Sequence, residues 1–173
     1  MRVHLSLGSN LGARETKLAE ALKALDTTAG IELKAVSACY ETEPIGVTGQ
    51  PPFLNLAATI ETDHEPLELL AVLKEIERRI GRLPAVAWGP RIIDIDLVLW
   101  EGRQMDHPTL SLPHRAFRER AFVLKPLAEI APDAVDPATG QTVAVLAASP
   151  NLVGWVRRTD RLDRLIQETP AVS

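Results

Sequence analysis

From Arg91 to Leu99 the chain reads Arg-Ile-Ile-Asp-Ile-Asp-Leu-Val-Leu, an apolar, β-branched run interrupted by two acids. Side chains alternate along a strand, so Asp94 and Asp96 share one face while Ile93, Ile95, Leu97 and Leu99 share the other. Two carboxylates side by side, with an arginine close in sequence, suit an anionic substrate bridged by Mg²⁺. That ion takes one or two carboxylates and fills the rest of its shell from phosphate oxygens and water. An acidic strand face taken alone is most often just a face turned to water. The pair therefore gains its meaning from the elements around it.

Composition narrows those elements. A chain of 173 residues, 46% hydrophobic and 24% charged, fits one globular domain with a sizeable core. A net charge of −4 argues against bulk nucleic-acid or membrane-surface binding. Phosphate recognition must then be local and built from a few arginines. The single cysteine, Cys39, excludes an internal disulfide, and its apolar, strand-like setting without a neighbouring histidine marks it as packing. Met1 to Leu5 lack the apolar run of a signal peptide, and prolines or charges interrupt every span of membrane length. Cytoplasmic residence is expected.

Residues 3–7 read as a strand, with Gly8-Ser9-Asn10-Leu11-Gly12 as a tight connection to a helix whose apolar residues Leu18, Ala21, Leu22 and Leu25 recur until Gly30. A second strand follows over 31–38, then a Gly- and Pro-rich segment, 43–52, that reads as a mobile functional loop. Phe53 to Glu61 form a third strand, with Leu54, Leu56, Ala58 and Ile60 on one face and Phe53, Asn55, Ala57 and Thr59 on the other. Glu65-Pro66 opens a second helix with Leu69, Leu70, Leu73 and Ile76 on its buried stripe, and Gly81 ends it. After a loop (82–91) come the aspartate strand, a turn at Glu101-Gly102, an irregular stretch to Pro113 and a helical region over 115–130. His4, His64 and His107 read as turn or surface histidines. The order β-α-β-β-α-β predicts a ferredoxin-like α+β sandwich: helices packed on one face of a largely antiparallel sheet, the other face open to ligands. Residues 1–148 make up this domain, and 149–173 form a tail without an assigned role. Neither a Walker-type phosphate loop nor a Gly-x-Gly-x-x-Gly fingerprint occurs.

Several segments together carry a more specific message. Leu7 to Gly12, Tyr40 to Gly46, Phe53-Leu54-Asn55, Glu77 to Arg82, Trp88 to Leu99, Leu112-Pro113-His114 and Arg120 to Leu124 follow one another as in the 6-hydroxymethyl-7,8-dihydropterin pyrophosphokinases of folate biosynthesis. The chain resembles that family from about residue 3 to 146. The resemblance implies a ferredoxin-like fold and transfer of pyrophosphate from ATP to the hydroxymethyl group of the pterin, releasing AMP. It implies two Mg²⁺ ions on Asp94 and Asp96, with Arg82 and Arg91 on the phosphates and counted with the two acids as catalytic. For the pterin it implies Asn55 on the pyrimidinone edge, stacking by Phe53 and Phe122, backbone contacts from Thr42 and Ile45, and Trp88 as cover. For ATP it implies His114 and Arg120, with Glu77, Leu97 and Ser111 around the nucleoside.

One departure stands out. The loop before Trp88 commonly carries further basic residues in the family, but here it reads Leu83-Pro84-Ala85-Val86-Ala87. Arginines on a closing loop stabilise the reactive state more than ground-state binding, so slower turnover is expected. Two other readings stay open at this level: a catalytically impaired relative that binds pterin or nucleotide, and a ferredoxin-like regulatory module whose acids are merely solvated. The expected partners are the two small substrates, without nucleic acid or membrane, and the expected state is a monomer.

Overall fold

The structure, a computed structural model, describes residues 1–44, 49–81 and 92–160. Ile45, Arg82, Trp88, Arg91 and the uncharged run 83–87 lie outside the described residues. The elements are β1 (Arg2–Ser9), α1 (Arg14–Thr27), β2 (Ile31–Val36), β3 (Cys39–Thr42), β4 (Phe53–Thr62), α2 (Pro66–Ile80) and β5 (Asp94–Trp100), followed by shorter pieces described below. The main sheet runs β5-β1-β4-β3-β8, where β8 is Val156–Thr159, and β2 pairs with β4 beside β3. All these pairs are antiparallel, so β1 and β2 run parallel with β4 between them, and β4 and β5 run parallel with β1 between them. Two interleaved strand-helix-strand crossovers of this kind are the ferredoxin-like arrangement that the element order predicts.

Helix α1 buries the four residues that recur at helical spacing, Leu18, Ala21, Leu22 and Leu25. Helix α2 begins with Pro66, whose missing N–H would have no helical partner there, and ends at Gly81, whose φ of 105° suits a residue without Cβ. Its buried stripe is Leu69, Leu73 and Ile76, with Leu70 only partly covered. Both helices pack on one face of the sheet, against Val3, Leu5 and Leu7 of β1, Leu54, Leu56 and Ile60 of β4, and Ile95 and Leu97 of β5. Cys39 is fully buried in this core.

Four features depart from the sequence reading. Strand β1 extends through Gly8 and Ser9, which are paired strand residues and not a turn. The second strand breaks at Ser37 and Ala38, where Ala57 N–H donates to Ser37 Oγ at 2.8 Å, and β3 continues along the same edge of β4. In β5 the register passes from Leu5 opposite Leu97 to His4 opposite Leu99, leaving Val98 as an extra residue. This β-bulge turns Leu99 to the face opposite Ile95 and Leu97, so strict alternation misplaces it. Met105–His107 (β6) and Leu110–Leu112 (β7) pair as a hairpin where irregular chain was expected.

His4 also departs from expectation. It is 1% exposed, with Nδ1 at 2.9 Å from Thr59 Oγ1 and Nε2 at 3.0 Å from Glu101 Oε1. A histidine on the inner strand β1, with polar neighbours on both sides, is a satisfied buried residue.

The second face of the sheet is divided. A 3₁₀ turn (Phe117–Glu119), α3 (Ala121–Ile130) and α4 (Val143–Ala147) cover part of it through a second core of Ala57, Val98, Leu99, Phe117, Leu124 and Val143. The region around Phe53, Asp94 and Asp96 stays partly accessible. The covering layer is fastened by Arg118, whose Nε and Nη2 donate to the fully buried Asp136 carboxylate at 2.5 and 2.9 Å. Burial alone would raise the Asp136 pKa. Hydrogen bonds from Arg118, the Ala138 N–H and the Thr139 hydroxyl outweigh that and hold it below its ordinary value.

A carboxyl with a depressed folded-state pKa contributes stability above its unfolded pKa, about 3.9, and loses it as pH falls through the lower folded value. Asp136→Asn should therefore cost about 1.5–3 kcal/mol at pH 7. In urea unfolding, the gap between Asp136→Asn and the parent chain should narrow as pH falls below about 4. A gap that stays constant down to pH 2.5 would show that the carboxylate's charge is not what fastens the layer.

Candidate active site

The open part of the sheet places its residues by register. Tyr40 of β3 lies opposite Asn55 of β4, Asn55 opposite Gly8 of β1, and Gly8 opposite Asp94 of β5. Directly paired residues point to the same face, so Asn55, Gly8 and Asp94 form one row across three strands, roughly 10 Å from end to end at the usual strand spacing. The next row on that face is Ala57, Ser6 and Asp96. Both acids are partly accessible, as the alternation predicts. Gly8 keeps the middle of the row low. A Cβ there would stand 2.5 Å from Asn55 Nδ2 and 3.5 Å from the Phe53 ring.

Asn55 is held in one orientation. Its Oδ1 accepts from the Thr42 hydroxyl at 2.5 Å, and its Nδ2 donates to the Leu7 carbonyl at 3.3 Å. Among the described residues these bonds use one of its two amide hydrogens and one oxygen lone pair. The Thr42 hydroxyl is thus taken up by Asn55. Phe53, opposite Thr42, is half-buried on this face, and so is Phe122 at the start of α3. The Arg120 guanidinium lies 5.5 Å over the Phe122 ring, within cation-π range.

Beyond Asp96 lies a cleft of about 380 Å³, lined by Asp96, Leu97, Ser111 and His114 together with Lys74 and His107. Four residues singled out in the sequence thus meet around one cavity. Lys74 and His107 were not among them. The signal for His107 was available: Pro108-Thr109 separates two short runs, and a hairpin there brings His107 to the cleft. His107 Nδ1 accepts from the Thr109 N–H at 3.2 Å, which places the ring proton on Nε2.

His114 is anchored by its own N–H to Val98 O at 2.8 Å, while its Nδ1 accepts from the Ala116 N–H at 3.2 Å. Burial holds its imidazole below the ordinary histidine pKa, the Asp96 carboxylate pulls the other way, and Arg120 reinforces the depression. The ring is neutral at pH 7, with Nε2–H as its donor. Ser111 Oγ accepts from Arg115 Nε at 2.7 Å.

Glu77 does not line the cleft, but its Oε2 lies 3.6 Å from the Nζ of Lys74, which does. Glu77 is 1% exposed, and its Oε1 accepts from the Ile95 N–H at 2.8 Å, between the two aspartates in sequence. Its carboxylate occupies the outer edge of β5 and supports the strand. A larger groove of about 560 Å³ lies around His4, Thr59 and Glu101. Its bases are engaged with local acids, His4 with Glu101, Lys34 with Glu32 and Arg2 with Glu61.

Residues 4–132 match the family model described as 7,8-dihydro-6-hydroxymethylpterin-pyrophosphokinase. The chain is similar to the 2-amino-4-hydroxy-6-hydroxymethyldihydropteridine pyrophosphokinase of Methylorubrum extorquens, 52% identical over 134 residues, covering 78% of this chain and 85% of that one. The enzyme of the same name from Bacillus subtilis is 43% identical over 127 residues, covering 73% and 76%. Among solved structures, the Plasmodium falciparum HPPK-DHPS protein superposes with a TM-score of 0.65 at 17% identity. That match covers 84% of this chain and 43% of the other, and it shows the ferredoxin-like fold.

The environment of His114 makes a signed prediction. Titrated by NMR, its imidazole should show a midpoint below 6.5. Asp96→Asn should lower the midpoint further by removing the opposing carboxylate, and Arg120→Ala should raise it. An unshifted midpoint in Asp96→Asn would show that this carboxylate and ring do not share a site.

Proposed function

The chain belongs to the 7,8-dihydro-6-hydroxymethylpterin-pyrophosphokinase family, and from that premise we propose how its own residues divide the work of the reaction. The activity is Mg²⁺-dependent transfer of pyrophosphate from ATP to the hydroxymethyl group of hydroxymethyldihydropterin, in folate biosynthesis. A bond forms between the hydroxymethyl oxygen and the β-phosphorus, the bond from that phosphorus to the oxygen of the α-phosphate breaks, the hydroxyl proton is released to solvent, and AMP leaves.

The observation that carries the assignment is the row Asn55, Gly8, Asp94. The pyrimidinone edge of the pterin alternates donors and acceptors, and the fixed Asn55 amide offers one of each. A flat ring engaged there lies across the bare Gly8 backbone, stacked by Phe53 and Phe122, with its hydroxymethyl arm directed to the acids. Phe53 and Phe122 have the partial exposure that a stacking platform needs, which plain core aromatics lack.

Asp94 and Asp96 fit Mg²⁺: two hard, partly accessible carboxylates on one strand face leave most of an octahedral shell for phosphate oxygens and water. Two such ions, held by these acids, would polarise the transferred group and neutralise the leaving oxygens. The neutral His114 donates from Nε2 toward the nucleotide without adding charge to Asp96. Arg120, stacked on Phe122, supplies positive charge beside it, Lys74 on the cleft wall is paired with Glu77, and Leu97 and Ser111 shape the nucleoside end of the cleft. Glu77 acts through β5, keeping the strand between the acids in place. Ile45, Arg82, Trp88 and Arg91 are assigned to the pterin and phosphates by the family resemblance alone.

Residues 1–148 are assigned as the pyrophosphokinase unit, with β8 added to its sheet, acting as a monomer in the cytoplasm. Among the described residues no helix is long and apolar enough to cross a membrane.

Asp94→Ala and Asp96→Ala should each reduce AMP release at least about a hundredfold at saturating Mg²⁺, the scale of losing one preorganised charge contact in the transition state, with unchanged circular dichroism. Near-normal release from either variant would remove that residue from the metal site. Gly8→Ala tests the row itself. It should displace the Asn55 amide and weaken pterin binding by about 1–3 kcal/mol while sparing ATP affinity. Equal losses for both substrates would count against a recognition role.

A further inference from the structure

The segment joining β3 to β4 enters at Thr42-Glu43 and returns at Pro52-Phe53, so both of its feet adjoin residues assigned to the pterin. Glu41, one residue before Thr42, points to the other face of the sheet and is 8% exposed. There it meets two guanidiniums. Arg14, in the first turn of α1, comes within 3.5 Å of Glu41 Oε1, and Arg157 of β8 donates to Glu41 Oε2. Arg14 reaches the other foot as well, its Nη1 donating to the Pro52 carbonyl at 2.7 Å. Asn10 reinforces that side, its Nδ2 lying 3.1 Å from Gln50 Oε1 and 3.3 Å from Pro51 O. The entry foot is also paired to the C-terminal strand, Glu43 N–H donating to Trp155 O at 3.1 Å.

We propose that Arg14 is a positioning residue for pterin binding, tying the entry strand through Glu41 and the exit strand through Pro52, with Arg157 of β8 holding the entry foot from the far side. Arg14 touches no ligand: α1 and Glu41 lie on the helix-covered face, opposite Asn55 and Phe53. Its effect passes through Thr42, which orients the Asn55 amide, and through Phe53, the neighbour of Pro52. The two guanidiniums are unequal. The Arg14 side chain is 17% exposed and bridges both feet, whereas the Arg157 side chain is 72% exposed and serves one. Screening by solvent weakens the outer pair. The inner clasp dominates.

This inference rests on the assignment of the pterin to Asn55 and Phe53, so Asn55→Ala is measured alongside. The readouts are calorimetric affinities for 6-hydroxymethylpterin and for a non-hydrolysable ATP analogue, together with kcat and KM, on the full chain. Arg14→Ala should raise the pterin dissociation constant and KM about tenfold, with ATP affinity and kcat within about twofold, a tenfold change being the scale of one charge-assisted hydrogen bond. Arg14→Lys, which keeps the charge but not the fork, should fall between Arg14→Ala and the parent. Arg157→Ala should move pterin affinity less than Arg14→Ala does. If Arg14→Ala does not fold, the ordering of Arg14→Lys above Arg157→Ala in pterin KM carries the test. Loss of pterin affinity in Asn55→Ala without any in the Arg14 variants would overturn the clasp alone. No loss in either would overturn the pterin assignment with it. Equal losses of pterin and ATP affinity in Arg14→Ala would reduce Arg14 to a general structural role and overturn the proposal.

Discussion

The register of the inner strand β1 is the constraint on which the rest of the structure depends. Because Gly8 lies opposite Asn55 on one side and Asp94 on the other, a hydrogen-bonding amide and a carboxylate face the same way with only backbone between them. A slip of one residue on either side would turn one of these groups into the helix-packed core. Register is well specified here because Val3, Leu5 and Leu7 must all face α1 and α2 for that core to close. The hydrophobic pattern that folds the chain is therefore also the pattern that aligns its chemistry. Gly8 has a second part in this, since any side chain would collide with the amide it serves to expose.

The two faces of the sheet then take different duties. On the helix-covered face, buried polar groups hold strands in place: Glu77 on the Ile95 N–H, and Glu41 between Arg14 and Arg157. On the other face, α3 and α4 cover one part and leave the remainder for ligands, with Phe122 and Arg120 at the boundary. The β5 bulge allows this division. By turning Leu99 over, it gives the covering layer an apolar partner while Asp94 and Asp96, on the other side of the bulge, stay accessible. In the proposed site the binding groups are supported from beneath by buried groups on the helix-covered face, a common route to the tight positioning that catalysis by orientation demands.

The parts of this picture legible in the sequence are those set by local periodicity. The stripe of α1, the start and stop of α2, the alternation of β4 and the shared face of Asp94 and Asp96 follow from spacing and from Pro66 and Gly81 alone. The parts that were not legible arise from long-range pairing. Nothing near His4 announces that Thr59 and Glu101 will enclose it, and nothing in Ile93 to Leu99 marks Val98 as the extra residue of a bulge. Val156 to Thr159 form a strand only because the free edge of β3 is within reach. Glu77 illustrates the same limit within the site. Its motif implies the nucleotide, and no spacing announces the bond that its carboxylate accepts from the Ile95 N–H.

The most direct test is anomalous diffraction from crystals grown with Mn²⁺, a non-hydrolysable ATP analogue and 6-hydroxymethyl-7,8-dihydropterin. Manganese peaks ligated by Asp94 and Asp96 are expected, with a pterin ring stacked between Phe53 and Phe122 and its pyrimidinone edge on the Asn55 amide. A ring bound elsewhere, such as in the groove around His4, or metal peaks that miss both aspartates, would contradict the assignment.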